Sequence, residues 1–281
     1  MIHVRRYSDG PAFARLVSPF LLRHEAINNL AFRIVGRFAD GAVSVPPDVY
    51  LAASFASALP EAELLGVALR TPPFNLALAY PGGSAVSALV ADAMTFAPLS
   101  GIIGEVADAR LGAALWVAAT GGTFAPIVAL RVHELSRVEV VPGLGTLRAA
   151  VESDLMGLAL WEQAFYAESL PSDAPRRSSP LTLDGFFLWE VDGVSVTMAR
   201  GVSAGPHTAA ITAVYTPQEY RRRGYATSAV AALSGRLLES GYGSCVLFTD
   251  LANPTSNAIY RRIGYRPVGD FANLAFHAAT A

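Results

Sequence analysis

Three consecutive arginines, Arg221, Arg222 and Arg223, stand directly before Gly224, Tyr225, Ala226 and Thr227. Upstream, Ala209 to Tyr215 is an apolar run whose β-branched and aromatic members suit a buried strand. Pro217 ends that run, because proline brings no amide to a ladder. Downstream, Ala226, Val230, Leu233 and Leu237 fall on one face at helical spacing. A strand, a glycine turn and a helix start leave several backbone N–H groups aimed at one spot. The helix dipole and the arginines favour an anion there. Gly224 suits the position, since a side chain would hold a phosphate off the backbone. The expected chemistry is the binding of a diphosphate.

A second constellation follows. Asn253 is a good N-cap and Pro254 a good first helical residue. Asn253, Asn257 and Tyr260 then fall at i, i+4 and i+7, one shared face that could meet the same ligand. Ile259 and Ile263 are expected on the opposite, core-facing stripe.

The order Arg-x-x-Gly-x-Ala over Arg221, Gly224 and Ala226 resembles the acyl-CoA pyrophosphate loop of the GNAT acetyltransferase superfamily. Val214-Tyr215-Thr216-Pro217 is similar to that family's splayed strand, whose backbone pairs with the pantetheine amides. Asn253-Pro254, Asn257, Tyr260, Gly264 and Tyr265 resemble its next helix. The resemblance covers roughly the last third of the chain. It implies acetyl-CoA as acyl donor, held by Val214, Tyr215, Thr216, Arg221, Arg222, Arg223, Gly224, Tyr225, Ala226, Thr227, Asn253, Asn257 and Tyr260. It also implies that Tyr260 and Asn257 serve catalysis, Tyr260 by stabilising the departing CoA thiolate. A thiol pKa of about 8.5 lies below tyrosine's value near 10, so hydrogen bonding is expected to outweigh full proton transfer. A backbone N–H near Val214 would stabilise the oxygen of the reacting carbonyl. An amine acceptor must also be deprotonated, which costs about 4–5 kcal/mol at pH 7. Glu190, His207 and Glu162 are candidate bases, and a water chain needs none of them.

The function implied is N-acetyl transfer to an amine of a small molecule or peptide. A non-catalytic acyl-CoA-binding or sensing chain is the alternative. The acceptor itself is not encoded in any motif. A net charge of −2 argues against a nucleic-acid partner, although the three arginines could be read as an RNA patch. All 21 basic residues are arginine. Hydrophobic content of 52% with 16% charged residues describes a filled core rather than a disordered chain. Cys245 is the only cysteine, so no intrachain disulfide forms, and its apolar setting suits an inert buried thiol. His3, His24, His133 and His277 lack metal-ligand spacing, so no metal is expected. Leu111 to Leu130 is free of charge and long enough to span a membrane, but Gly121-Gly122-Thr123-Phe124-Ala125-Pro126 reads as a turn between helix and strand. With no signal-type segment in MIHVRRYSDG, a cytoplasmic protein is expected, without membrane contact; a homodimer is admissible.

The elements that position these residues recur. Strands are expected at His3–Arg6, Tyr50–Phe55, Leu64–Arg70, Phe74–Tyr80, Ser100–Glu105 and Ile127–Val138. Helices are expected at Pro11–Ala39, with a break near Ser18-Pro19, at Ala85–Met94 and at Val106–Ala118. After Pro142-Gly143 the order repeats: a helix over Thr146–Glu168, a loop over Leu170–Pro180, then strands Phe186–Glu190, Val194–Arg200 and Ala209–Tyr215. The first two of these strands are joined by the hairpin signal Asp192-Gly193. The period of about 135 residues suggests two similar folds in tandem. The resemblance to the GNAT superfamily, in which tandem proteins with one degenerate copy are known, implies an α/β (α+β) protein of two tandem GNAT-like folds, each a mixed central sheet flanked by helices. The expected division is a degenerate domain at 1–140 and an acyl-CoA-binding catalytic domain at 141–281. Pro81-Gly82-Gly83-Ser84 replaces the arginine loop in the first half, which is therefore expected to be a scaffold.

Overall fold

The computed structural model describes residues 1–80, 82–139, 143–169 and 181–279. It divides into two compact units, Met1–Leu130 with Gly269–Ala281, and Arg131–Val268. A cut at 140/141 therefore differs from the observed division in two ways. The chain leaves the first unit at Leu130, and it returns to that unit at Gly269. The return follows from hydrogen bonding that sequence order does not display.

The first unit contains β1 (His3–Arg6), α1 (Gly10–Leu21), α2 (Asn29–Gly36), β2 (Tyr50–Phe55), β3 (Leu64–Arg70), β4 (Leu76–Ala79), α3 (Gly83–Phe96), β5 (Gly101–Glu105) and α4 (Val106–Thr120). Its sheet runs β1-β2-β3-β4-β5, and β5 pairs antiparallel with β12 (Arg266–His277) through Phe271–Ala275. Along this order β4 and β5 pair parallel, and the other neighbours pair antiparallel. Alternation along the strands fills both faces. Leu51, Ala53, Phe55, Val67 and Leu69 pack with α1 and α2, whereas Tyr50, Ala52 and Ala68 pack with α3 and α4. Pro19 lies inside α1, and the expected break falls after Leu21 instead. Near a helix end the loss of one amide is tolerable. The apolar stretch from Leu111 does turn at Gly121, a left-handed C-cap, into β6 (Thr123–Leu135). No helix among the described residues is long and apolar enough to cross a membrane.

The second unit repeats the order with β7 (Thr146–Ala149), α5 (Leu155–Ser169), β8 (Phe186–Val191), β9 (Val194–Ser203), β10 (Thr208–Tyr215), α6 (Tyr225–Glu239), β11 (Ser244–Asp250) and α7 (Pro254–Ile263). Its sheet runs β7-β8-β9-β10-β11, followed by the end of β6. The helix expected over Thr146–Glu168 is thus a strand and then a shorter helix. Arg148 explains the difference: it bonds Asp154 and Glu190 at 2.6 and 2.8 Å and ties the first segment to β8 as a strand. Asp192 and Gly193 both take positive φ in the β8–β9 hairpin, as expected. The loop read over Leu170–Pro180 lies outside the described residues.

Candidate functional site

The site is organised by an irregularity in β10. Its parallel pairing with β11 covers only Thr208–Ala210 against Ser244–Val246. Beyond Ala210 the two strands leave their ladder, so the β11-facing backbone groups of the following residues lie outside it. On the other side β10 gains one residue on β9, because Thr212 opposes Arg200 but Tyr215 opposes Met198. Ala213 sits in this bulge at φ 50. The extra residue reverses which face each side chain meets. Ala209 and Ile211 pack among α6 and α7, whereas Ala213 packs under α5 with Leu158 and Met198. Tyr215 follows Ala213 to the α5 side, and Val214 joins the cluster that contains Tyr260.

After β10 the chain makes a short 3-10 turn at Gln218–Tyr220 and enters α6 through Gly224, a left-handed N-cap at φ 80. A Cβ at Gly224 would meet nothing within 4 Å, so the backbone here is open to a ligand. Arg222 also takes positive φ, 62. Arg222 and Arg223 are exposed. Arg221 is engaged instead: its Nη2 donates to Glu168 at 2.7 Å and its Nε to the Thr216 carbonyl at 2.8 Å. The ion pair is partly exposed, its side chains 39% and 49% accessible, so it contributes roughly 0.2–1 kcal/mol and matters more for geometry than for stability. Tyr225 and Ala226 are half-buried and Thr227 buried at the helix start. Thr227 lines a groove of about 450 Å³ with Pro254, Thr255, Ala258, Ile259 and Arg262 of α7.

On α7, Asn253 caps the helix through a Ser256 N–H bond of 3.0 Å, with Pro254 in the first turn. Asn257 is not free for chemistry. Its Oδ1 accepts from the Thr249 hydroxyl at 2.9 Å, and its Nδ2 donates to the carbonyls of Asp250 and Asn253 at 2.9 and 2.8 Å. It braces the β11–α7 turn. Tyr260 is buried, edge-on to Tyr265 at 5.9 Å. Burial pushes its pKa up to about 12. Ile259 and Ile263 do pack in or against the core, but not on a face opposite Asn257 and Tyr260. Ile263 is buried on the same face as Asn257 and Tyr260, whereas Ile259 lines the groove.

The structure separates the three candidate bases. Glu190 is paired with Arg148 at 2.8 Å. His207 precedes Thr208 at the start of β10, roughly 20 Å from Val214 at strand rise. Glu162 is half-buried on α5 beside Trp161, whose ring lies 6.5 Å from Tyr215. Glu168 and Arg262 were not read from sequence. Arg262 had a signal in the Arg261-Arg262 pair, but nothing in spacing alone joins Glu168 to Arg221. Among the described residues no group of His, Cys, Asp and Glu could hold a metal. Cys245 is buried, and burial pushes its pKa up to about 12, so it is inert.

The model of the acetyltransferase (GNAT) family matches residues 155–265, a segment that contains α5, the bulged strand, the glycine cap and α7. No curated protein matches the sequence. Among solved structures, a GCN5-related N-acetyltransferase from Sphaerobacter thermophilus is 15% identical, with a TM-score of 0.59 over 100% of this chain and 97% of that one. A Drosophila protein aligns at TM-score 0.66 and 12% identity over 98% of both chains. A tandem GNAT protein from the clavulanic acid biosynthesis pathway aligns at 0.54 and 13% identity, over 100% of this chain and 99% of its own. The acetyltransferase (GNAT) family model thus matches residues 155–265 of the second unit, within a fold that is similar along its full length to that of a tandem GNAT protein.

Proposed function

We propose that the second unit is an acetyl-CoA-dependent N-acetyltransferase, passing an acetyl group directly to an amine of a small molecule or peptide. The observation that carries this reading is the bulged end of β10, parted from β11 and leading into the left-handed glycine cap of α6. Acetyl-CoA supplies the activated thioester. The open α6 amides with Arg222 and Arg223 bind the diphosphate, and the unladdered end of β10 meets the pantetheine. A β10 amide near Val214 then stabilises charge growing on the carbonyl oxygen. Tyr260 faces the departing sulfur. With its pKa near 12 against about 8.5 for a thiol, giving up the proton costs roughly 5 kcal/mol, so it acts by hydrogen bond. Asn257 supports this arrangement from behind by holding the turn into α7. Glu162, on the helix that packs over the bulge, takes the proton from the amine. No metal and no nucleic acid enter this reaction, and a cytoplasmic setting suits it.

Thiol release from acetyl-CoA across a panel of amines tests the proposal. Turnover with at least one amine supports it. Binding of acetyl-CoA with no thiol released from any amine would favour a sensor.

A further inference from the structure

We propose that Glu168 is a positioning residue that holds Arg221 as a strap between the end of α5 and the splayed end of β10, leaving the diphosphate to Arg222, Arg223 and the α6 amides. For its ligand the proposal rests on the acyl-CoA reading above.

Sequence treats the three arginines alike, and the structure separates them. Arg221 Nη2 donates to both Glu168 oxygens, at 2.9 and 2.7 Å, and Nε donates to the Thr216 carbonyl at 2.8 Å. Its guanidinium lies 5.5 Å from the centre of the Tyr215 ring, and the Tyr215 hydroxyl donates to Glu168 Oε1 at 3.4 Å. The Thr216 hydroxyl in turn shares a 2.8 Å hydrogen bond with Thr197, which is buried in β9. A guanidinium seated on a carboxylate and a carbonyl has no fork left for a phosphate. Arg222, in the left-handed region, turns the chain between Arg221 and Arg223. α5 also sets Leu158, Trp161 and Phe165 over the bulged face of β10. The strap therefore fixes the helix that covers the bulge and the strand end that follows it.

The experiment measures CoA binding by calorimetry at low and high salt, for the full chain and for Glu168→Gln, Arg221→Gln and Arg223→Gln. Backbone hydrogen exchange of the ligand-free proteins is recorded in parallel. Arg223→Gln should weaken CoA about tenfold, whereas Arg221→Gln should change it by less than about twofold. Glu168→Gln should tighten CoA about threefold and steepen its salt dependence, because it frees a cation beside the diphosphate. A strut of purely structural value would give no such tightening. Both Glu168→Gln and Arg221→Gln should speed exchange at the end of α5 and over residues 213–217 together. A tenfold loss with Arg221→Gln, or weaker binding with Glu168→Gln, overturns the proposal. Failure of the unaltered chain to bind CoA defeats the acyl-CoA reading instead. Exchange then decides the strap by itself: faster at both segments supports it, and unchanged at both overturns it.

Discussion

The corner where β4 enters α3 and the corner where β10 enters α6 follow one plan. In each, a strand parallel to its successor runs through a positive-φ glycine into a helix. The first corner keeps an unbroken register against β3, from Val67 opposite Ala79 to Leu69 opposite Ala77, so its side chains hold their faces. Its approach carries Tyr80, which stacks on His24 at 4.2 Å, and no arginine. Asp108 of α4 is buried, which raises its pKa, and the Gly82 amide partly offsets that rise. An acidic side chain, where the second corner has arginines, thus accompanies the first corner. The second corner has the bulge, the parted ladder and the exposed Arg222 and Arg223. A strand–turn–helix frame supplies amides, but the bulge and the charges decide whether a cofactor can use them.

Glycine substitution breaks the comparison most sharply. Gly82 and Gly224 both have positive φ and open space beside them, so valine at either strains the backbone, and more so at Gly82, whose φ 61, ψ 136 lies outside the left-handed helical region that Gly224 occupies. Gly224→Val should nevertheless weaken acetyl-CoA by about 100-fold, and Gly82→Val should leave it unchanged. Titration of the unaltered chain should give one acetyl-CoA per chain; two equal sites would erase the distinction between the corners. Tyr260→Phe should lower kcat about tenfold with little change in acetyl-CoA affinity, read from steady-state rates once the chemical step is limiting. Asn257→Ala should cost about 2 kcal/mol in denaturant unfolding, since it strands a buried hydroxyl and two carbonyls. The last effect is alkaline and accumulates only gradually with pH. Folded Cys245 and Tyr260 both keep their protons up to about pH 12, whereas the unfolded chain releases them from about 9 and 10. Stability therefore falls as pH rises above 9, by about 1.4 kcal/mol per pH unit for each group titrating. Cys245→Ala should flatten the first part of that decline in urea titrations between pH 8 and 11.

Much of this was legible in sequence, because the glycine turn into α6 and the N-cap Asn253 are local features of residue type and spacing. The strands on either side of Asp192-Gly193 were legible for the same reason. What stayed hidden depends on partners distant in sequence. Thr146–Ala149 looked helical because Leu147 keeps helical spacing with Val151, and only pairing with β8 makes it a strand. The bulge at Ala213 leaves no signature in the apolar run, since both faces of β10 are buried. Asn257 looked like a ligand-facing residue because its composition and spacing do not reveal the carbonyls it serves. Glu168 meets Arg221 across the fold, beyond the reach of any periodicity.

The hydrogen bond of 2.8 Å from Asn75 Nδ2 to Asn273 Oδ1 joins residues 198 positions apart inside the first unit. Its sheet gains β12 only after residues 269–277 have been synthesised, whereas 131–268 form an uninterrupted stretch. On a translating ribosome the unit begun first is therefore finished last. Its closing strand brings high contact order, and the wait leaves the edge of β5 open to foreign strands during synthesis. Efficient production of this protein thus depends on how quickly the chain after Val268 emerges, a vulnerability of timing rather than of final stability.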